Sequence, residues 1–222
     1  MIHTATIKIK VVIGEPSPPP PPPPPPVVRD TRIRIRLDDP ASLTWGVCAL
    51  TLAEGHERAV IDWGVGITTE VTASGAQQHT YAQPGEYEVR ISDDLSALQC
   101  LMRGGQSVYQ LVYAPMIREF RTNATLLGKF GVDGFFKAVN LASFQCEGSG
   151  VCEIGRMAFQ FCTGLVGRLD FPRVISIATE SFLGSTGITE LHFSKANEEV
   201  ISALPGFGTA FGAANAEIFF DL

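Results

Sequence analysis

Three phenylalanines near the carboxyl end of the chain recur at one fixed spacing. Phe136, Phe159 and Phe182 follow one another at intervals of 23 residues. Residues 154–165 read IGRMAFQFCTGL and residues 177–188 read IATESFLGSTGI, so isoleucine, phenylalanine, a small Cys or Ser, and a final Leu or Ile keep the same places. A period in the twenties predicts a solenoid. One unit is too short to bury its own apolar face, so stacked units share a core.

The repeated phrase extends past the phenylalanines. Residues 191–193 (LHF) read as the next strand, and residues 194–209 read as an inserted loop. The pattern resembles the BspA-like leucine-rich repeats over about residues 105–222, with irregular units at both ends. The resemblance implies a short leucine-rich-repeat solenoid. The expected repeat-core residues are Phe136, Phe159, Cys162, Leu165, Phe182, Ile188 and Leu191.

A run of short alternating segments precedes the array. Residues 31–37 (TRIRIRL) place arginines between apolar residues, with turn signals at intervals beyond them. This arrangement favours a β-sandwich over residues 29–95. Large aromatic side chains need burial, and alternating residues of a strand share one face. The expected sandwich core contains Trp63, Tyr81, Tyr87 and Val89.

Two blocks in this region resemble a known family. Residues 62–66 read DWGVG, and HTY at 79–81 and PGEYEV at 84–89 follow. Together they resemble PKD-type immunoglobulin-like domains, in which a WGDG turn precedes an HTY and PGxYxV strand pair. Val65 stands where that family has Asp, which argues against an ion at the turn. The overall expectation is a mainly β chain, with an Ig-like (PKD-like) sandwich followed by the solenoid. Residues 95–103 between them predict a helical turn or two.

The first 28 residues have a different character. Residues 4–13 alternate, and Ile7, Ile9 and Val11 share one face of a predicted strand. We expect residues 1–15 to be an anchor that adds to a sheet edge of another subunit or protein, or else a strand that folds back on its own chain. Residues 16–28 are a predicted polyproline II spacer, and its nine consecutive prolines, 18–26, span about 28 Å at roughly 3.1 Å per residue. A ligand role for SH3-like grooves is the alternative.

Charge and hydropathy exclude some classes of function. The net charge is −6, and it is +4 over residues 1–36 and −10 over the remainder. An acidic body argues against nucleic acid as a partner. No window reaches the length of apolar sequence that a membrane span requires. The first residues lack the apolar run of a secretion signal, so we expect either use without such export or a signal already trimmed.

The five cysteines stand at positions 48, 100, 146, 152 and 162. An odd number argues against a disulfide framework, although Cys146 and Cys152 are close enough in sequence to bridge. No cysteine pair or histidine cluster has metal-ligand spacing, so neither a metal nor a cofactor is expected. The chain also lacks GxSxG, HExxH and P-loop motifs, and we expect it not to be an enzyme.

These expectations combine into a display protein. An anchor and a proline rod would hold out a sandwich that carries a repeat array, and the array would bind a protein or glycan ligand. The scaffold for residues 1–15 would be a phage or phage-like particle, which places the protein on the virion surface. The alternative is a bacterial cell-surface adhesin, extracellular after removal of a signal. Homo-oligomerisation is left open.

Overall fold

The computed structural model describes residues 29–41, 43–92, 95–99, 114–125, 127–148, 150–204, 211 and 216–222, and only the backbone of 48, 49, 95, 96, 98 and 99. The predicted anchor, with Ile7, Ile9 and Val11, and the predicted proline spacer lie outside the described residues.

Strands make up most of the regular structure in the described part of the chain. They are β1 (Asp30–Leu37), β2 (Thr44–Leu52), β3 (Ala59–Asp62), β4 (Thr68–Val71), β5 (Gly75–Thr80), β6 (Gly85–Ser92), β7 (Leu95–Gln99), β8 (Ile117–Thr122), β9 (Lys129–Phe130), β10 (Ser143–Cys146), β11 (Cys152–Ile154), β12 (Gly167–Phe171), β13 (Val174–Ile177), β14 (Ile188–Phe193) and β15 (Glu217–Phe220). The described helices are two 3-10 turns, Ala114–Met116 and Lys195–Asn197, and the short α1 (Glu198–Ser202). The fold is therefore mainly β.

The strands form three sheets. The first has the order β10-β8-β1-β6-β3-β4, the second β13-β11-β9-β7-β2-β5, and the third β12-β14-β15. Strands β1 to β6 pair antiparallel, whereas the pairs within the carboxyl-terminal part run parallel. Parallel neighbours that follow one another around a shared core produce a stacked, β-solenoid-like region. We call this region, the described residues from Ala114 onward, the coil region, and each of its repeat units a coil. The strands β1 to β7 are the amino-terminal part.

The amino-terminal strands follow simple alternation. In β1, Ile33, Ile35 and Leu37 are buried, while Arg34 and Arg36 are exposed. Successive side chains of a strand point to opposite faces, so this pattern gives the strand one apolar face. The arginine side carries ion pairs to the neighbouring strands, such as Arg34 to Glu119 at 3.0 Å.

The two parts of the chain share their sheets. Strand β8 of the coil region pairs antiparallel with β1, and β9 pairs parallel with β7. Buried residues from both parts also belong to one hydrophobic cluster. The coil region therefore continues both amino-terminal sheets through backbone hydrogen bonds instead of hanging from a linker.

Strand β7 corrects one expectation. Residues 95–103 were predicted to contain a helical turn or two, yet Leu95–Gln99 is a strand between β2 and β9. The edges of β2 and β9 offer backbone hydrogen bonds on both sides of this segment, and this pairing outweighs its local preference for a helix. The predicted loop at 194–209 also differs over its described part, because α1 buries Ile201 and Asn197 donates to the Val174 carbonyl at 3.0 Å.

Two ladders of phenylalanine rings fill the coil region. In the first, ring centroids of Phe135 and Phe159 lie 5.1 Å apart, and those of Phe159 and Phe182 lie 5.3 Å apart, nearly parallel in both cases. The second ladder was not predicted; its rings lie on strands, whereas the rings of the first ladder lie in turns. Its rings are Phe120, Phe144, Phe171, Phe193 and Phe220.

Phe136 was predicted to head the first ladder, but Phe135 occupies that place. Phe135 is 1% exposed, whereas Phe136 is only half-buried. The hydrogen bonds between coils explain the shift. The Phe135 N–H donates to the Ala158 carbonyl just as the Phe159 N–H donates to the Ser181 carbonyl. The first coil is thus 24 residues long and the second 23, so a constant spacing of 23 selects the wrong ring.

The small position of the repeat has a polar role inside the core. Cys162 and Ser185 are both fully buried. The Cys162 thiol donates to the Phe135 carbonyl at 3.0 Å, and the Ser185 hydroxyl donates to the Phe159 carbonyl at 2.5 Å. The two residues therefore make the same bond to the preceding coil. A group that is both small and a hydrogen-bond donor meets this requirement.

Candidate functional site

In each coil a left-handed residue lies two positions after the ring of the first ladder, on the outside of the turn. Lys137, Phe161 and Gly184 occupy equivalent places in three coils, with φ of +59°, +58° and +76°. Left-handed backbone is costly for bulky residues and cheap for glycine. Phe161 is also 40% exposed. Gly184 shows that this turn can form without a side chain, yet the second coil has an exposed aromatic ring there.

The ring of Phe161 lies in a small aromatic cluster. It packs directly over Gly184, where an added Cβ would overlap the ring. Its centroid is 6.1 Å from that of Phe136, and the Lys137 ammonium lies 5.3 Å from the Phe136 centroid. We call Phe136, Lys137, Phe161 and Gly184 the turn patch. Aromatic rings beside a cation are the kind of surface that anchors a ligand.

A groove opens on another side of the coils. It has a volume of ≈ 420 Å³ and lies between β10, an edge of the first sheet, and β12, an edge of the third. Its polar lining includes an ion pair between Arg168 and Asp170 at 2.7 Å. Cys146 and Leu222 also line it. The groove is open to solvent, and Arg168 and Asp170, two of its charged residues, are paired with each other.

His192 lies on the outer face of the third sheet but is only 3% exposed. Its Nδ1 is 2.7 Å from the Asp221 carboxylate, its Nε2 is 2.9 Å from the Glu190 carboxylate, and its ring stacks on Phe219 at 4.5 Å. Burial lowers the pKa of His192, but the two carboxylate hydrogen bonds outweigh that effect and raise the pKa above its ordinary value. The imidazole is thus held by neighbours on both sides.

Arg173 is a buried cation that the sequence patterns did not single out. It is 4% exposed, and its guanidinium donates to backbone carbonyls of Ala124, Glu147 and Leu127 at 2.7 to 2.9 Å. A fourth carbonyl, that of Thr125, lies at 3.5 Å. Arg173 therefore ties together loops from successive coils. The only signal in the sequence is a lone arginine between apolar residues, which also describes many exposed strand residues.

The expected sandwich core lies together in the amino-terminal part. Trp63, Tyr81 and Val89 are at most 2% exposed, and Tyr87 is half-buried. The Tyr81 hydroxyl donates to the Trp63 carbonyl at 3.1 Å, and His79 stacks on Trp63 at 5.5 Å. Burial raises the pKa of the Tyr81 hydroxyl. These contacts make a packed interior.

The expected repeat residues other than Phe136 are interior. None of this set exceeds 1% exposure: Phe159, Cys162, Leu165, Phe182, Ile188 and Leu191. The interior thus leaves the outer surface of the coils as the part available to a partner. Among described residues, no group of three or more His, Cys, Asp or Glu is placed to hold a metal ion. No helix in the described ranges has the length and apolar character to cross a membrane.

Comparison of the chain with protein-family models, with curated proteins and with solved structures found no match.

Proposed function

We propose that this chain is a non-enzymatic recognition protein that binds a protein or glycan ligand through the turn patch. The observation that carries the proposal is Phe161, an exposed ring on left-handed backbone where the next coil has glycine. Such conformations cost of order 1–3 kcal/mol each and concentrate at functional sites. Gly184 keeps the same backbone conformation without a side chain, so the turn itself does not need the ring, and a contact outside the chain is the better reason for its exposed apolar area.

The surroundings of Phe161 fit that role. Interface hot spots are enriched in aromatic residues and lie in a surface that excludes water on binding. Phe136 supports the ring from the side and Lys137 supplies a cation. Two further apolar side chains, Val139 and Val166, are exposed on the loops that follow these turns, and Val166 is 65% exposed. Solenoids commonly bind along such an extended surface.

We also propose the finer fold assignments. The parallel coils with buried phenylalanines, and the small donors Cys162 and Ser185 in two of them, support a BspA-like leucine-rich-repeat array over residues 105–222. The Trp63–Tyr81 hydrogen bond supports a PKD-like sandwich over residues 29–95.

For its location, we propose the surface of a phage or phage-like particle, with residues 1–15 as the anchor to the particle. The cation-rich first 36 residues and the acidic remainder support distinct partners for the two ends. A chain that lacks residues 1–15 should fold normally and be absent from purified particles. Recovery of the full chain in a bacterial envelope fraction, and not in particles, would favour the adhesin alternative.

Binding is tested with Phe161→Asn, because Asn tolerates left-handed backbone and removes the ring. Ile67→Asn is the matched control, since Ile67 is exposed to a similar degree (50%) in a turn outside the coils. The probes are a panel of bacterial-surface glycans and immobilised outer-surface protein fractions. The wild type and the control should be retained on the same probe, and Phe161→Asn should lose most of that retention. Equal retention of all three, or no retention of the wild type, would contradict the proposal.

A further inference from the structure

Two cysteines face each other across a tight loop between coil strands. Cys146 ends β10 and Cys152 begins β11, and each thiol influences the ionisation of the other, which places the two side chains close together. Both are free thiols and both are buried, at 2% and 0% exposure. Gly148 and Gly150 lie between the two strands with φ of +96° and +100°, a backbone conformation that glycine adopts readily and that suits a sharp turn.

A cation lies beside this pair. Arg173 contributes its positive charge to the surroundings of both sulfurs. Its recorded hydrogen bonds go to neutral carbonyls, and its buried Nε has no partner in the described part of the chain. Because these bonds do not neutralise the buried guanidinium, its positive charge favours a thiolate nearby.

The two thiols are not equivalent. A hydrogen bond from Cys152 and the charge of Arg173 lower the pKa of Cys146, even though burial opposes this. The pKa of Cys152 is raised, because it is the hydrogen-bond donor and is itself buried. Cys146 is also the one that lines the groove between β10 and β12. Of the two cysteines, Cys146 is therefore the one that lies beside the groove.

We propose that Cys146 and Cys152 form a reversible dithiol–disulfide pair, in which Cys146 is the attacking thiolate and Cys152 the resolving thiol. The oxidant is a small-molecule disulfide, RS–SR. The Cys146 thiolate attacks one sulfur, a Cys146–S–S–R bond forms, and RS⁻ leaves and takes a proton. Cys152 then gives up its proton and attacks Cys146 Sγ, so that the protein disulfide forms and a second RSH leaves. Two thiols are oxidised and one disulfide is reduced to two thiols.

The bond would act as a staple between successive coil strands. It closes a loop of seven residues, for which chain entropy predicts an increase of about 50-fold in the folding equilibrium constant. Reducing compartments keep such pairs as thiols, and oxidising surroundings close them. A protein that is assembled inside a cell and used outside would then become more stable on release.

The test uses the full chain in glutathione buffers of increasing oxidised fraction, under native conditions, with acid quenching. Trypsin cleavage after Lys137 and Arg156 releases one peptide, residues 138–156, that carries both cysteines. After oxidation this peptide should be lighter by two hydrogens, and dithiothreitol should reverse the change. Cys162→Ala is the control variant, because it removes the third buried thiol and should leave the shift intact.

Single variants separate the roles of the two sulfurs. Cys152→Ser should hold glutathione as a mixed disulfide on Cys146, whereas Cys146→Ser should leave Cys152 unmodified, since Cys152 is fully buried and does not line the groove. Circular dichroism confirms that each variant is folded. Two free thiols in peptide 138–156 after equilibration with oxidised glutathione, oxidation only in denaturant, or a bond from either residue to Cys48 or Cys100 would overturn the proposal.

Discussion

Replacement of Phe159 by alanine tests the packing of the coil region most directly. Phe159 is fully buried where the two phenylalanine ladders meet. Its ring centroid lies 5.1 Å from Phe135, 5.3 Å from Phe182 and 4.7 Å from Phe144. The first two contacts are stacked within the ladder, and the third is an edge contact to the other ladder. Removing the ring therefore breaks contacts in three directions.

The expected cost follows from these contacts. Truncation of a buried phenylalanine to alanine costs about 3–5 kcal/mol, and the value depends on how far the surroundings can collapse. Aromatic pairs of this geometry contribute about 0.5–1.5 kcal/mol each beyond buried area. Phe159 makes three such pairs. Backbone hydrogen bonds fix the spacing between neighbouring coils, so the surrounding residues have little freedom to close the cavity that the substitution leaves. We expect a loss of about 4–5 kcal/mol for Phe159→Ala.

Guanidinium chloride unfolding followed by tryptophan fluorescence is the assay. Trp45 and Trp63 are fully buried, and both lie in the amino-terminal part. Because β1 pairs with β8 and β7 with β9, a change in the coils should move the tryptophan transition as well. We expect the midpoint to fall by about 1 M. Phe136→Ala is the control, since a half-buried ring at the turn should cost no more than about 1 kcal/mol.

Two results would refute this reasoning. A loss below about 1 kcal/mol for Phe159→Ala would mean that the ring is not part of a close-packed interior. A tryptophan midpoint that stays fixed while far-ultraviolet circular dichroism shifts would mean that the two parts unfold independently. The second result would contradict the shared sheets even if the coil packing were right.

Three further predictions concern buried polar groups and the turn patch. Arg173→Met should cost about 3–5 kcal/mol in the same denaturation assay, because several buried carbonyls lose their donor. For His192 the folded-state pKa is raised, so its stabilising contribution is complete below the unfolded value of about 6.5 and is lost as the pH rises through the folded pKa; the stability difference between wild type and His192→Gln should therefore shrink from pH 5 to pH 9, and a constant difference would contradict this. Gly184→Ala should lower the melting temperature more than Gly55→Ala, since both have left-handed φ but only an alanine at 184 would overlap Phe161.

Spacing in the sequence predicts some features of the coils and misplaces others. Phe159 and Phe182 are separated by one complete unit of 23 residues, so a constant period finds them both. The first unit is one residue longer, and two adjacent phenylalanines stand at its head. Spacing alone cannot choose between Phe135 and Phe136. The choice depends on which one follows the left-handed turn at Asp133 at the same distance as its equivalents follow Met157 and Glu180.

The second ladder escaped prediction for a related reason. Its rings are separated by 24, 27, 22 and 27 residues at Phe120, Phe144, Phe171, Phe193 and Phe220. Loops of unequal length between coils absorb these differences, while the strands stay in parallel register. A period search requires equal lengths, whereas the fold requires only that each ring reaches the same layer.

Residues that act through long-range contacts were the least predictable. Alternation along a strand places His192 on the face opposite Leu191 and Phe193, but it cannot show that Glu190, Phe219 and Asp221 cover the ring there. The same limit applies to Arg173, whose partners lie 26 to 49 residues away along the chain. The turn patch could not be predicted from the sequence for the same reason, because Phe161 is unusual only when it is compared with Gly184 at the equivalent position of the next coil.

The strand pairs β1–β8 and β7–β9 connect the amino-terminal part to the coil region, so neither part is a separate spacer domain. A stack of parallel coils ends in strands with unpaired backbone groups, which tend to pair with other chains unless they are covered. At the amino-terminal end both exposed strands, β8 and β9, are covered, one by β1 and the other by β7. The two amino-terminal sheets therefore provide the cap that terminal repeats of a solenoid need. The coil turns are thereby joined through shared sheets to the described amino-terminal strands, and under the proposed function this connection would hold the turn patch in one orientation.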